Sequence, residues 1–227
     1  MQKNGIIPAL TGIRAIAAYL VFIHHYNSDK FIFGVIPNIF REGQIGVTLF
    51  FVLSGFLITY RYQDTFKFDK VSVFNYFRNR FARIYPMFFL VTILHYGLKF
   101  SNSTKNFWEF WEIHKDIFLL NITFLKTFFS DIIFTACAQS WSLTVEEVFY
   151  LLSPFMILFA NKKIIRYILC FVILVITGLI FVNISNVFEL GTFFDNSFFM
   201  FTYTFFGRSF EFVAGAILAV IISKNNF

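Results

Sequence analysis

At 227 residues, with 58% hydrophobic and only 14% charged, the chain is too apolar for a soluble core, since soluble domains carry about 25% charged residues. The net charge of +6 is no nucleic-acid signal here, because lysine and arginine gather in the cytoplasmic loops of membrane proteins. What remains is an all-α, polytopic membrane helix bundle with no nucleic-acid partner.

A membrane span needs about 20 mostly apolar residues. The first candidate, 6–26, contains Arg14 and lacks a small-residue cleavage site, so it reads as a retained span. An arginine at mid-membrane costs at least about 2.5–3.5 kcal/mol. His25 follows eleven residues later, an offset of about 1100° at 100° per residue, so it shares the Arg14 face roughly 16 Å along the axis. His24 is rotated about 80° from that face. Either the two form a functional pair, or Arg14 snorkels and His25 rests at the interface. The second span, 43–60, carries Gly46 and Gly55, small residues that allow close helix approach.

The connection 61–83 holds Arg61, Lys67, Lys70, Arg78, Arg80 and Arg83 against Asp64 and Asp69, and is expected on the cytoplasmic side. Arg80 and Arg83 are three apart and on a helix would point to similar sides. Paired guanidinium groups fit phosphates bidentately; plain positive-inside anchoring is the alternative. Pro86 suits the first turn of the third span, 84–100. The apolar stretch 117–135 is interrupted by Asn121, Lys126 and Asp131 and reads as interfacial or re-entrant. Cys137 and Cys170 lack metal-like spacing and read as buried, inert thiols.

The fourth span, 142–160, opens with Ser142 and Glu146 on one face and Glu147 about 100° around. Two carboxylates at the edge of an apolar helix need a partner or a task; alternatively Ser142 caps the helix and the acids favour its positive end. Lys162, Lys163 and Arg166 form the next basic connection, before a fifth span over 164–182. The sixth, 205–222, opens with Arg208 and Glu211, three apart and able to pair on the helix surface. If 117–135 does not span, both basic connections and both termini, with Lys3 and Lys224, fall on the cytoplasmic side. The expected architecture is thus one domain over 1–227, with about six spans and one interfacial or re-entrant segment.

In this order the motifs resemble the acyltransferase-3 family of membrane O-acyltransferases. Leu10-Thr-Gly-Ile-Arg14 through His24-His25 is similar to its opening block, with an Arg-x10-His pattern that selects His25. Gly46 to Leu57 resembles its second block, Arg80-Phe-Ala-Arg83-Ile-Tyr-Pro86 its Arg-x-x-Arg segment, Trp141-Ser142 to Glu146 its Ser-x3-Glu block, and Arg208-Ser-Phe-Glu211 with Gly215 a later one. Family domains normally continue through further spans, so the chain reads as shortened at its C-terminus.

The resemblance implies acyl transfer, most often of acetyl, from cytoplasmic acyl-CoA to a hydroxyl of an extracytoplasmic glycan, in a bacterial cytoplasmic membrane. Acyl-CoA is then a donor substrate, with no permanently bound cofactor and no metal. Neutral His25 suits the general base near pH 7. Arg14 would orient the donor or stabilise an oxyanion. Arg80 and Arg83 would hold CoA phosphates. Glu146 would bind the acceptor or tune His25, and Ser142 would position Glu146, with a covalent acyl-serine there the less favoured alternative. The rivals are an inactive scaffold and a transporter or channel lined by these charges. A transporter would show two similar halves with Gly- or Pro-broken spans, and no such repeat is visible.

Overall fold

A computed structural model of the chain describes residues 8–26 and 44–224. Lys3 and the first residues of spans one and two lie outside the described residues. The fold is an all-α membrane helix bundle. Its helices are α1 (Pro8–Tyr26), α2 (Gln44–Tyr62), α3 (Lys70–Ser101), α4 (Phe107–Ile122), α5 (Trp141–Ala160), α6 (Ile164–Phe188), α7 (Ser197–Tyr203) and α8 (Phe205–Lys224). Among the described residues the only extended pairing is an isolated bridge between Phe129 and Phe193. Among the described residues five stretches have the length and composition to cross a membrane: Ile45–Tyr62, Lys70–Ser101, Ala138–Ala160, Ile164–Phe188 and Ser197–Lys224. The sixth expected span is α1, whose apolar part, Ala9–Ile23, is shorter.

One expectation is corrected. The basic connection 61–83 is mostly not a loop. Asp69 caps a helix that starts at Lys70 and runs 32 residues, accepting from the backbone N–H groups of Val71 and Ser72 at 3.1 and 3.0 Å. These bonds, with one from the Ser72 hydroxyl, hold the Asp69 carboxyl below the usual range. At 1.5 Å per residue, α3 is about 48 Å long, well beyond a hydrocarbon core of about 30 Å. Pro86 therefore lies inside a helix rather than opening one. The turns before it are fixed by tertiary contact: the buried Tyr76 hydroxyl donates to the Tyr150 carbonyl at 3.1 Å and sits 2.6 Å from Ser153 Oγ.

The stretch 117–135, expected to be interfacial or re-entrant, is not among the spanning stretches. α4 ends at Ile122, and a 3₁₀ turn over Lys126–Phe128 follows. Asn121, within an Asn-x-Thr triplet, is fully buried and donates to the Ile117 carbonyl and to Thr135 Oγ1.

The chain forms two compact units: one of Met1–Thr65, Phe155–Phe171 and Phe210–Phe227, the other of Phe66–Pro154 and Val172–Ser209. In the first, α2 packs against α1 at Gly46 and against α8 at Gly55. Phe51 and Phe212 stack there with ring centroids 4.6 Å apart. An ion pair between Lys162 and Asp64, and a hydrogen bond from Gln63 Nε2 to Ser223 Oγ, tie the two basic connections and the end of α8 together. The second unit centres on Val182, Phe194, Met200 and Phe206, with Phe128 and Phe181 packed around them.

Because Lys162 pairs with Asp64, both connections must face one side of the membrane. Single cysteines at Thr65 and Lys163, with Cys137 and Cys170 replaced by serine, should react with an impermeant maleimide from the same side. Labelling from opposite sides would overturn that placement.

Candidate functional site

In the second unit, α3 and α5 build a polar cluster inside apolar walls. Arg80 lies one turn past Tyr76 and is only 7% exposed. Its guanidinium is 5.9 Å from the Tyr76 ring centre and 5.5 Å from that of Tyr150. A desolvated cation over an aromatic face gains about 2 kcal/mol, which offsets part of the burial cost. Glu146 accepts a hydrogen bond from the Tyr150 hydroxyl. Glu147 lies within electrostatic reach of Glu146 and Arg80.

Arg80, Glu147 and Tyr150 line a cavity of about 350 Å³, walled by Phe77, Phe81 and Phe124. One carboxylate oxygen of Glu147, Oε1, is buried without a hydrogen-bond partner. Buried polar atoms without partners are rare in folded proteins. The cavity thus presents a fixed cation and an underused acceptor, a combination suited to a polar ligand carrying both an anionic group and a hydroxyl.

A second cavity of about 320 Å³ opens in the same unit. Ile84, Met87, Phe88, Val91 and Leu143 make it apolar, and Arg83, Gln139 and Ser140 give it polar points. Behind Ser140 lies Lys126, with no exposed surface. Its Nζ donates to Ser140 Oγ at 2.6 Å, to the Thr135 carbonyl at 3.1 Å and to the Cys137 carbonyl at 3.5 Å. Burial pushes the Lys126 ammonium down to about 8.

The structure brings some of the expected residues together and separates others. Arg80 and Arg83 do not form one fork: Arg80 is buried in the first cavity, whereas Arg83 is an exposed residue on the second. Ser142 is no helix cap, because the helix has already begun at Trp141 out of a 3₁₀ turn over Ala138–Ser140. Its hydroxyl donates back to the Gln139 carbonyl at 3.1 Å.

In the first unit, Glu211 is 1% exposed and accepts from Thr48 Oγ1 at 3.1 Å. It is a buried group. Arg208, in the second unit, is half-buried. Arg14 and His25 both lie on α1, the first half-buried and the second exposed.

Sequence reasoning missed Tyr76, Tyr150 and Ser140, and gave Lys126 and Glu147 no role. Lys126 and Glu147 did carry a signal, as charges in or beside apolar stretches; Tyr76 and Tyr150 needed the register of α3 against α5, and Ser140 its place against Lys126.

The acyltransferase-3 profile, described as an acyltransferase domain, matches residues 7–225. The acyltransferase MdmB of Streptomyces mycarofaciens is 34% identical over 156 residues, covering 65% of this chain and 38% of that protein. The O-acetyltransferase OatA of Staphylococcus aureus is 27% identical over 165 residues, covering 70% of this chain and 26% of that protein. The matched regions thus span well under half the length of these relatives. No solved structure matches the chain at a significant level. With a profile match over nearly its whole length, the chain belongs to the acyltransferase-3 family.

Proposed function

We propose that this chain is a membrane O-acyltransferase that moves an acyl group, acetyl first among candidates, from cytoplasmic acyl-CoA to a hydroxyl of an extracytoplasmic glycan. The observation that carries the reading is the family match over 7–225. It is supported by relatives named as an acyltransferase and an O-acetyltransferase. In this reading the chain sits in a bacterial cytoplasmic membrane, with both termini and the two basic connections inside. His25 takes the acceptor proton as general base. Arg14 orients the donor or stabilises developing negative charge. Glu146, held by Tyr150, binds the acceptor.

The test is transfer itself. Proteoliposomes holding the full chain, supplied with labelled acetyl-CoA and a glycan acceptor, should release CoA thiol and carry label into glycan. Label transfer absent with every acceptor, and no CoA release, would overturn the reading.

The two arginines should behave differently. Arg83→Gln should weaken acetyl-CoA binding by roughly 10- to 150-fold, since one charge-assisted hydrogen bond contributes about 1.5–3 kcal/mol. Its thermal unfolding should stay near that of the parent, because Arg83 is exposed. Arg80→Gln should lower the unfolding temperature as well, because it removes a buried cation from two tyrosine rings. Titration of acetyl-CoA against each purified variant, with a thermal scan, checks both. Unchanged binding in Arg83→Gln would leave that arginine as an orientation signal only.

A further inference from the structure

None of the roles above uses the buried Lys126–Ser140 pair, yet its geometry is that of a nucleophile beside its base. Nζ and Oγ are 2.6 Å apart, and Ser140 lines the second cavity while Lys126 stands behind it. Among the described residues every hydrogen-bond acceptor of Lys126 is a neutral oxygen: Ser140 Oγ and the carbonyls of Thr135 and Cys137. A buried ammonium with no carboxylate against it is costly. The neutral amine is therefore readily reached, consistent with the downward shift to about 8.

The base is held in place from behind. Asn121, fully buried, donates to Thr135 Oγ1 at 3.0 Å, and the Thr135 carbonyl fixes Nζ. Ser140 immediately precedes α5, so the positive end of a 20-residue helix dipole lies beside its oxygen.

We propose that Ser140 accepts the acyl group of an acyl thioester as a covalent ester, with Lys126 as the base that takes its proton. This rests on the acyl-CoA reading above. In the resting state the Ser140 hydroxyl donates to the Cys137 carbonyl at 2.5 Å; rotation about one bond turns that proton toward a neutral Nζ. Ser140 Oγ then bonds to the acyl carbon, its proton passes to Lys126, and the C–S bond breaks to release CoA thiolate. The resulting ammonium has three oxygen acceptors in place, one per proton. In the second half-reaction the acceptor oxygen bonds to the acyl carbon, its proton leaves to solvent, and the C–Oγ bond breaks. Oγ recovers its proton from Lys126.

A purely structural role for Lys126, as a clamp on the carbonyls of an irregular segment, makes a different forecast. The purified full chain, mixed with p-nitrophenyl acetate, should release a burst of about one nitrophenolate per chain and carry an acetyl ester on the Ser140 peptide by mass spectrometry. Ser140→Ala should abolish the burst and the ester. Lys126→Arg keeps the donors of the clamp but cannot deprotonate, so it should slow the burst by about 10²-fold or more. Lys126→Met should slow it equally.

A burst that persists in Ser140→Ala, an acetyl group on Lys126 instead, or full speed in Lys126→Arg would overturn the dyad. A second arm uses acetyl-CoA. A burst on the activated ester without CoA release would sink the acyl-CoA reading and leave the dyad standing. CoA release at full rate in Ser140→Ala would sink the dyad and leave that reading standing.

Discussion

His25→Ala should lower acyl transfer by about 10²–10⁴-fold, the range that general-base catalysis contributes. His24→Ala should lose far less, with both proteins inserting at similar levels. The asymmetry follows from α1. It is helical from Pro8 to Tyr26 without a break, so eleven residues place His25 within about 20° of Arg14 around the axis. His24 falls about 80° away. A merely interfacial role would treat the neighbours alike, since both lie near the same helix end. Transfer rates for the matched pair, normalised to membrane-inserted protein, decide between the two. Equal and small losses would remove His25 from the mechanism. A larger loss at His24 would mean that the working face of α1 is not the one carrying Arg14.

Gly55→Ala and Gly215→Ala should each destabilise the first unit by about 1–3 kcal/mol or more, the usual cost of overfilling a packed interface. A Cβ at Gly55 would lie 2.0 Å from the Phe212 carbonyl oxygen, and one at Gly215 would lie 2.0 Å from that of Val52. Both obstacles are backbone atoms, so no side chain can swing aside and the helices themselves must separate. Small residues are how membrane helices reach such contact, since lipid tails give no hydrophobic push. Gly97, on α3, is the control: a Cβ there meets nothing within 4 Å. Gly97→Ala should be neutral or stabilising by up to about 1 kcal/mol, from helix propensity alone. Thermal unfolding in detergent micelles reads all three. Losses of equal size at Gly97 and Gly55 would show that the α2–α8 approach is looser than described.

The pair of arginines shows where sequence spacing stops being informative. Three residues apart, Arg80 and Arg83 were expected on similar sides, and both do lie on one helix. Their environments still differ, because Tyr76 and Tyr150 close over Arg80 and leave Arg83 open. The same limit explains Ser142 and Glu146. Their shared face was legible, but the partners, the Gln139 carbonyl and the Tyr150 hydroxyl, depend on where the helix starts and how it is packed.

The sequence by itself determined the class of the protein, the position of nearly every apolar helix and the family. Hydropathy needs no tertiary information, since about 20 apolar residues must become helix in lipid. The order of five short motifs is equally one-dimensional. Only the tertiary structure decided that α3 runs unbroken through the basic stretch, since contacts between Tyr76 and α5 hold the turns before Pro86. It alone made Glu211 a buried partner of Thr48, placed Glu147 on a cavity with Arg80, and set Lys126 against Ser140. Those pairings join residues from 14 to 163 positions apart in sequence. Local periodicity fixes which way a side chain leaves its own helix, while its partner is set by the packing of helices that the chain brings together from elsewhere.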